Sequence, residues 1–268
     1  MSSLSYRIID AADTSLNKTS VLVTGETEAV VVDAAFTRAD GHRITAALLD
    51  SGKRLTTVLV TAGDPDFYFG AEVIADAFPE AVFLAPADVI EHIRDTYEKK
   101  LAAWAHLGAN LPTRLVDIAP LPTSSVAVDG VEIEVRRAGT ALGDRSWYLF
   151  EPGERALFGG VLLFEGLHVW TADAASTDQR AEWLRVLDEL EALEPTFVAA
   201  GHRVAGAPTD STAIRHTREY LRFFEKTVAD ATDAAAAEET LLAAYPDAGL
   251  KIAASLGTKV AKGELTWG

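Results

Sequence analysis

The stretch that decides the fold is TVLVTAGDPDFYFG, residues 57–70. It opens with an apolar, β-branched run over 57–60, which is typical of a buried strand. The polar and turn-forming residues 61–66 follow directly, and Gly70 then opens a predicted helix. Because α/β folds place their chemistry in loops at the ends of buried strands, the stretch predicts a functional loop on an α/β scaffold.

Outward from this stretch, strands and helices alternate along the chain. Strands are predicted where β-branched residues are bounded by turns, over 6–9, 20–24, 29–32, 81–84, 114–118, 126–135, 147–150, 156–158 and 196–199. Helices are predicted where apolar residues recur every three or four positions, over 40–49, 70–78, 86–106 and from 210 onward. Ser176 and Gln179 have the spacing of a capping box, which predicts a further helix through Leu193.

This order predicts two strand-rich halves, each followed by helices. A sheet buries one or both faces against another layer, so the pattern favours two sheets packed face to face with helices outside. We find neither a linker nor a repeat of solenoid length. We therefore predict one α/β domain over residues 1–268, mostly helical from about residue 208.

Composition excludes several classes of protein. The net charge of −16 over 268 residues disfavours binding to a phosphate backbone, so no nucleic-acid partner is predicted. The chain contains no cysteine, which excludes disulfides and thiolate metal ligands. It lacks an apolar run of the roughly 18 residues that a membrane span needs, and its first ten residues, MSSLSYRIID, do not resemble a signal peptide. We expect a cytoplasmic protein with no membrane partner.

The order of elements, the loop at 61–70 and the Gly201-His202 pair together resemble the metallo-β-lactamase superfamily. The resemblance covers about the whole chain and implies a four-layer αββα sandwich. The family motif T-H-x-H-x-D-H-x-x-G supplies ligands to two metal ions, and here it reads T-A-G-D-P-D-F-Y-F-G. Only Asp66 and the framing Thr61 and Gly70 match this motif, while Asp64 stands at a histidine position.

The resemblance implies that most metal ligands are missing. The ligand positions without a donor side chain are Ala62, Phe67, Gly139 and Val161. Three candidates remain, whereas a tightly held zinc ion usually has three or four protein ligands of its own. We therefore expect no cofactor and no dinuclear centre. A single weakly bound divalent ion on Asp64, Asp66 and His202 stays open as an alternative.

Asp66 and His202 are the leading catalytic candidates, because the family brings both positions to one metal. Without a metal they are expected to form a carboxylate–imidazole pair in which His202 acts as a general base. Asp64, two residues from Asp66, is expected to have a raised pKa and to act as a general acid. The alternatives are that Asp66 and His202 merely bond loop backbone and that Asp64 is a turn residue.

A second group of residues is expected to bind substrate. The apolar replacements suit a pocket for a small organic ligand, and the predicted lining residues are His168, Tyr68, Trp170 and Phe67. Alternatively, His168 is a solvated loop residue, and Tyr68 and Trp170 are ordinary core. The remaining histidines are predicted to be structural, namely His42, His92, His106 and His216.

The function implied is that of a hydrolase-like or lyase-like enzyme acting on a small ester, lactone or amide without the dizinc centre. The absence of a G-x-S-x-G elbow weakens a serine-hydrolase interpretation. The alternative is a non-catalytic small-molecule-binding or regulatory protein on the same fold. The aromatic helix around Phe223 and Phe224 either covers the core or forms a homodimer.

Overall fold

The computed structural model describes residues 4–267 of the chain. The first sheet has the strand order β1-β2-β3-β4-β5-β6. Its strands are β1 (Ser5–Asp10), β2 (Thr19–Thr24), β3 (Glu28–Val32), β4 (Arg54–Leu59), β5 (Val82–Ala85) and β6 (Ala119–Pro120). The strands from β1 to β3 pair antiparallel, and those from β3 to β6 pair parallel.

The second half of the chain forms a sheet and a short ribbon. The sheet contains β7 (Ser125–Val128), β8 (Val131–Arg137), β9 (Trp147–Glu151), β10 (Ala156–Phe158) and β12 (Phe197–Val198), in the order β12-β10-β9-β8-β7. The ribbon pairs β11 (Phe164–Glu165) with β13 (His202–Arg203) in parallel. This pairing places His202 beside Phe164.

Helices lie outside both sheets. They are α1 (Arg38–Ser51), α2 (Pro65–Tyr68), α3 (Ala71–Ala77), α4 (Ala87–Ala103), α5 (Thr177–Ala192), α6 (Thr212–Asp230), α7 (Ala234–Ala244) and α8 (Lys251–Ala261). The predicted capping box is confirmed, because the Ser176 side chain accepts from Gln179 N while the Gln179 side chain accepts from Ser176 N. In the described part of the chain, none of the helices is long and apolar enough to cross a membrane.

Residue alternation in the strands explains the layering. Val30 and Val32 of β3 face the apolar layer between the sheets, whereas Ala29 and Val31 face the layer under α1, α3 and α4. Side chains two apart in a strand share a face, so an unbroken apolar strand buries both faces. The other face of the second sheet packs under α5 and α6. The αββα sandwich is thereby confirmed.

Two local predictions are wrong. The strand predicted over 114–118 is irregular, and only Ala119–Pro120 pairs with β5. The apolar residues Val116 and Ile118 instead pack into the layer beside α4. The loop predicted over 61–70 contains the helical turn Pro65–Tyr68, which the fixed φ of Pro65 favours at a first helical position.

The helices after residue 208 complete the second half. Phe224 is fully buried, and the Phe223 ring lies 5.7 Å from the Tyr245 ring. Both rings therefore take part in covering the core of this half.

Candidate functional site

The loops that the sequence singled out meet at one end of the sandwich. Asp66 lies on the helical turn that follows β4, and His202 opens β13. His202 Nε2 lies 2.8 Å from Asp66 Oδ2, although 136 residues separate the two in sequence. The structure thus brings together the two residues predicted to form a carboxylate–imidazole pair.

The pair is enclosed by aromatic rings. Phe164 stacks on His202 with ring centroids 5.0 Å apart and planes 9° apart, and Phe67 presents an edge at 5.9 Å. Asp66 and His202 are 4% and 5% exposed, so the hydrogen bond lies in a poorly hydrated environment. His202 Nδ1 is buried and has no hydrogen-bond partner. A hydrogen bond donated by Nε2 to Asp66 would leave Nδ1 as the acceptor nitrogen of the ring.

Asp64 has a different environment from the one predicted. Arg145 donates to both its oxygens, from Nε at 3.1 Å and from Nη2 at 3.0 Å, and Lys100 Nζ lies 3.4 Å from Oδ1. Burial alone would raise the pKa of Asp64, but the positive charges of Arg145, Lys100 and His92 outweigh it and lower this pKa to about 2. The expectation of a raised pKa and a general-acid role for Asp64 is therefore wrong.

Sequence reasoning missed the group around His92. This histidine was expected to be structural, yet its Nδ1 lies 2.7 Å from Asp144 Oδ2 and its Nε2 lies 2.9 Å from Lys100 Nζ. A Cβ on Gly63 would lie 2.6 Å from His92 Cγ, so the glycine in the motif lets the ring approach the loop. His92 and Lys100 are eight residues apart on α4 and so lie roughly on one helix face, but the sequence does not show that this face meets the loop.

The structure places His168 away from solvent and outside the lining of the cleft described below, so neither its predicted place in a substrate pocket nor the alternative of a solvated loop residue fits. The residue is fully buried, and its Nδ1 lies 3.1 Å from Tyr220 Oη. Its ring packs against that of Tyr245, with centroids 6.3 Å apart. Burial, followed by the charges of Lys251 and His216, lowers the pKa of His168 to about 4. His168 therefore belongs to the second core.

His168 should make stability fall in acid. Its pKa drops from an ordinary 6.5 to about 4 on folding, so the unfolded chain binds the proton more readily. The neutral His168 ring contributes its full stability above pH 6.5, and this contribution is lost as the pH falls towards 4. At 1.36 kcal/mol per pKa unit, the loss is up to about 3 kcal/mol. Urea unfolding across this range should show a smaller loss for His168→Gln than for the unsubstituted protein. Equal losses in the two proteins would contradict the assignment, and His106→Gln, on an exposed residue, is the control.

A narrow cleft lies next to the charged group. It has a volume of about 20 Å³, which is room for about one water molecule. The lining residues are Leu142, Arg145, Val161, Leu162, Trp170, Asp173, Ala174 and Trp183. Trp170, predicted to bind substrate, thus lines a cleft. Tyr68 and Phe67 are 2% and 1% exposed and belong to the core below the loop.

Asp173 is a further residue that sequence reasoning missed. Its carboxylate lies 3.1 Å from Arg145 Nη2 and accepts from Trp267 Nε1 at 2.9 Å. Burial raises the pKa of Asp173 to about 6, partly offset by Arg145. Asp64 and Asp173 share one guanidinium, yet their pKa values shift in opposite directions. A carboxyl group that titrates near neutral pH suits proton transfer.

Comparison with known proteins identifies the family. The family model for the metallo-beta-lactamase superfamily matches residues 14–202. The chain belongs to the metallo-beta-lactamase superfamily. A metallo-beta-lactamase family protein from Thermus thermophilus has 18% identity and a TM-score of 0.66, with 97% of this chain and 93% of that chain covered. A search of curated proteins found no match.

Two further solved structures support the same fold. A beta-lactamase domain protein from Burkholderia ambifaria has 16% identity and a TM-score of 0.66, with 97% of this chain and 84% of that chain covered. A metallo-beta-lactamase from Pontibacter korlensis has 15% identity and a TM-score of 0.53, with 83% of this chain and 99% of that chain covered. At these identities the likeness shows the fold alone.

The residues of this superfamily member do not fit a dinuclear metal centre. Asp66 and His202 bond each other, and Asp64 is held by Arg145 and Lys100. Within residues 4–267, no group of three or more histidine and carboxylate side chains is arranged to hold an ion. The alternative ligand set of Asp64, Asp66 and His202 is therefore not assembled.

The loop at Gly139 has a backbone conformation that disfavours a histidine ligand there. Gly139 has a φ of 69°, and a Cβ on it would lie 2.2 Å from Glu182 Oε1. That oxygen accepts from the backbone N–H groups of Thr140 and Ala141, at 2.6 and 2.9 Å. In this superfamily member a carboxylate from α5 therefore occupies the space beside the ligand position.

Proposed function

We propose that the protein is a hydrolase-like enzyme that cleaves a small ester, lactone or amide, with His202 as the general base. Membership of the metallo-beta-lactamase superfamily supports a hydrolase-like enzyme of this fold. The observation that carries the proposal is the Asp66–His202 hydrogen bond of 2.8 Å, combined with the unpartnered Nδ1 on the same ring.

The chemistry follows from this arrangement. His202 Nδ1 is buried and has to be uncovered before water can reach it; it then takes a proton from that water while the water oxygen attacks the acyl carbon of the substrate. Asp66 holds the ring in the required tautomer and stabilises the imidazolium that forms. The imidazolium then returns the proton to the leaving oxygen or nitrogen as the acyl bond breaks. The products are a carboxylic acid and an alcohol or amine.

The side chains that line the cleft suit a substrate with an apolar body and a polar end, and at about 20 Å³ the cleft must widen to admit one. Its walls include Leu142, Leu162 and Trp170, and its polar groups are Arg145 and Asp173. Val161, also in the wall, lies near Gly201, the residue before His202, because a Cβ added to Gly201 would lie 3.7 Å from Val161 Cα. Burial raises the pKa of Asp173 to about 6, so it is partly protonated near neutral pH, and we assign to it a hydrogen bond to the substrate carbonyl oxygen while the imidazolium protonates the leaving group.

The proposal includes a metal-independent reaction. Asp64, Asp66 and His202 have protein partners, and an ion would have to displace Arg145 and Lys100 to reach Asp64. We propose that Arg145 and Lys100 supply the positive charge that a metal ion would bring to such a pocket.

A non-catalytic ligand-binding protein is the second candidate. It is favoured by the burial of the catalytic pair, whose side chains are at most 7% exposed, and by the narrowness of the cleft. In that case a ligand enters the cleft without reaching His202 Nδ1.

A substrate screen with and without chelator tests both candidates. Small esters, lactones and amides are incubated with protein purified without chelator, and products are measured by mass spectrometry. We expect turnover that changes less than about twofold after EDTA dialysis, because catalysis rests on side-chain donors. Elemental analysis of the same samples measures bound metal. Turnover restored only by added zinc would contradict the metal-independent proposal, and ligands that raise the melting temperature without turnover would favour the second candidate.

A further inference from the structure

Lys18 is a cation enclosed by the protein. Its side chain is fully buried, and Nζ donates to Thr19 O at 2.6 Å, to Asp33 Oδ2 at 2.9 Å and to Gly201 O at 3.3 Å. The ammonium also lies 4.1 Å from the centroid of the Phe67 ring. An ammonium has three donors, and all three are used here. Burial of an ammonium is unfavourable, so such a residue persists only where these contacts compensate for the lost hydration.

The contacts of Lys18 join the two segments that carry the catalytic pair. Phe67 directly follows Asp66, and Gly201 directly precedes His202. Backbone bonds strengthen the second connection, because Thr19 N donates to Gly201 O and Arg203 N donates to Asn17 O. One buried cation therefore touches both neighbours of a pair that is far apart in sequence.

Asp33 extends the same cluster to the remaining loops. Its Oδ1 accepts from Thr61 N at 2.9 Å and from Thr61 Oγ1 at 2.7 Å. The Thr61 hydroxyl in turn accepts from Gly160 N at 2.9 Å. Thr61 opens the motif loop, and Gly160 precedes the position at which the superfamily has its bridging aspartate. The Lys18–Asp33 pair thus connects three loops of the site.

The Phe67 contact places this cation at a former ligand position. Phe67 stands where the family motif has a histidine, and its ring now faces an ammonium. Aromatic faces attract cations, and the attraction is larger where water is excluded. The local charge is balanced without an ion, since Asp33 neutralises Lys18.

We propose that Lys18 is a positioning residue that replaces the organising role of a metal ion, holding the Asp66 and His202 segments at hydrogen-bonding distance. The inference rests on the proposed function in treating Asp66 and His202 as the reacting pair. It applies to residues of this chain alone, and its test does not require turnover.

The test reads the protonation of the His202 ring directly. Long-range ¹H–¹⁵N spectra of protein labelled with ¹⁵N-histidine report which imidazole nitrogen carries the proton, and His202→Gln assigns the signals. We expect the Nε2–H tautomer in the unsubstituted protein and its loss, with mixed tautomers, in Lys18→Met. Arg218→Met, which removes an ion pair between α5 and α6, is the control and should leave the tautomer unchanged.

Two further measurements cover the case in which Lys18→Met does not fold. The pair variant Lys18→Met/Asp33→Asn carries no unpaired buried charge, and it too should lose the Nε2–H tautomer. A crystal structure of the unsubstituted protein should show Lys18 Nζ on Gly201 O and over Phe67. The proposal is overturned if either folded variant retains the Nε2–H tautomer. It is also overturned if the crystal structure shows an intact Asp66–His202 bond while the Lys18 side chain points elsewhere.

The kinetic readout separates this inference from the proposed function. Where a substrate is turned over, Lys18→Met should lower kcat about 100-fold, the loss typical of a misplaced reacting group. If no substrate is found but the tautomer changes as expected, the positioning role holds and the proposed reaction fails. If His202 is essential for turnover but Lys18→Met has an unchanged tautomer and kcat, the reaction holds and the positioning role fails.

Discussion

Replacing His202 with alanine is expected to lower kcat/KM by roughly 100- to 10,000-fold, the range that general-base catalysis contributes. The substitution removes the ring whose Nε2 is hydrogen-bonded to Asp66 and whose Nδ1 has no partner among the residues described. Initial rates on the substrate found in the screen measure the effect. Circular dichroism and the melting temperature establish that the variant is folded.

Two companion variants define what the loss means. Asp66→Asn keeps the shape of the side chain but leaves the imidazole without a carboxylate, so it should also reduce kcat. His42→Ala removes an exposed histidine of α1 and should leave the rate within about twofold, because surface substitutions rarely change stability by more than about 0.5 kcal/mol. An unchanged rate in His202→Ala would exclude the proposed mechanism.

Lys18→Met is expected to lower the free energy of unfolding by about 3–5 kcal/mol, the cost of removing one partner of a buried ion pair. The side chains of Lys18 and Asp33 are both fully buried, and burial raises the pKa of Asp33 even with Lys18 beside it. Methionine approximates the lysine chain in length but leaves the Asp33 carboxyl without its cation. Urea denaturation at pH 7 measures the difference.

The double variant Lys18→Met/Asp33→Asn is the matched control for this loss. Asparagine tolerates the φ of 63° at position 33 and keeps an oxygen for the Thr61 donors. The double variant should therefore recover at least about half of the stability that Lys18→Met loses, because it has no unpaired buried charge. A double variant less stable than Lys18→Met would show that the loss comes from packing and not from the charge.

Much of the fold could be predicted from local patterns. The β-branched runs of β2 and β3 bury both faces, and strands of this kind are recognisable from their apolar continuity. The helix start at Ser176 was predicted because a capping box involves side chains three residues apart. The strand over 114–118 was wrongly predicted because an apolar segment packs equally well without a hydrogen-bonded neighbour.

The pairing of Asp66 with His202 was predictable only through resemblance. Asp66 and His202 lie 136 residues apart, and no periodicity links positions so distant. The motif at 61–70 and the Gly201-His202 ending indicated which two residues meet. Neither motif indicated that Phe164 would stack on the ring or that Nδ1 would be left without a partner.

The sequence by itself determined the layered scaffold and the positions of its loops, because strand alternation, helix caps and motif residues act over short separations. The tertiary structure decided the chemistry of those loops. Asp64 has a lowered pKa because Arg145 and Lys100, from distant parts of the chain, reach its oxygens, whereas burial raises the pKa of Asp173 beside the same guanidinium. A pKa depends on burial and on the charges within a few ångströms, and folding sets both.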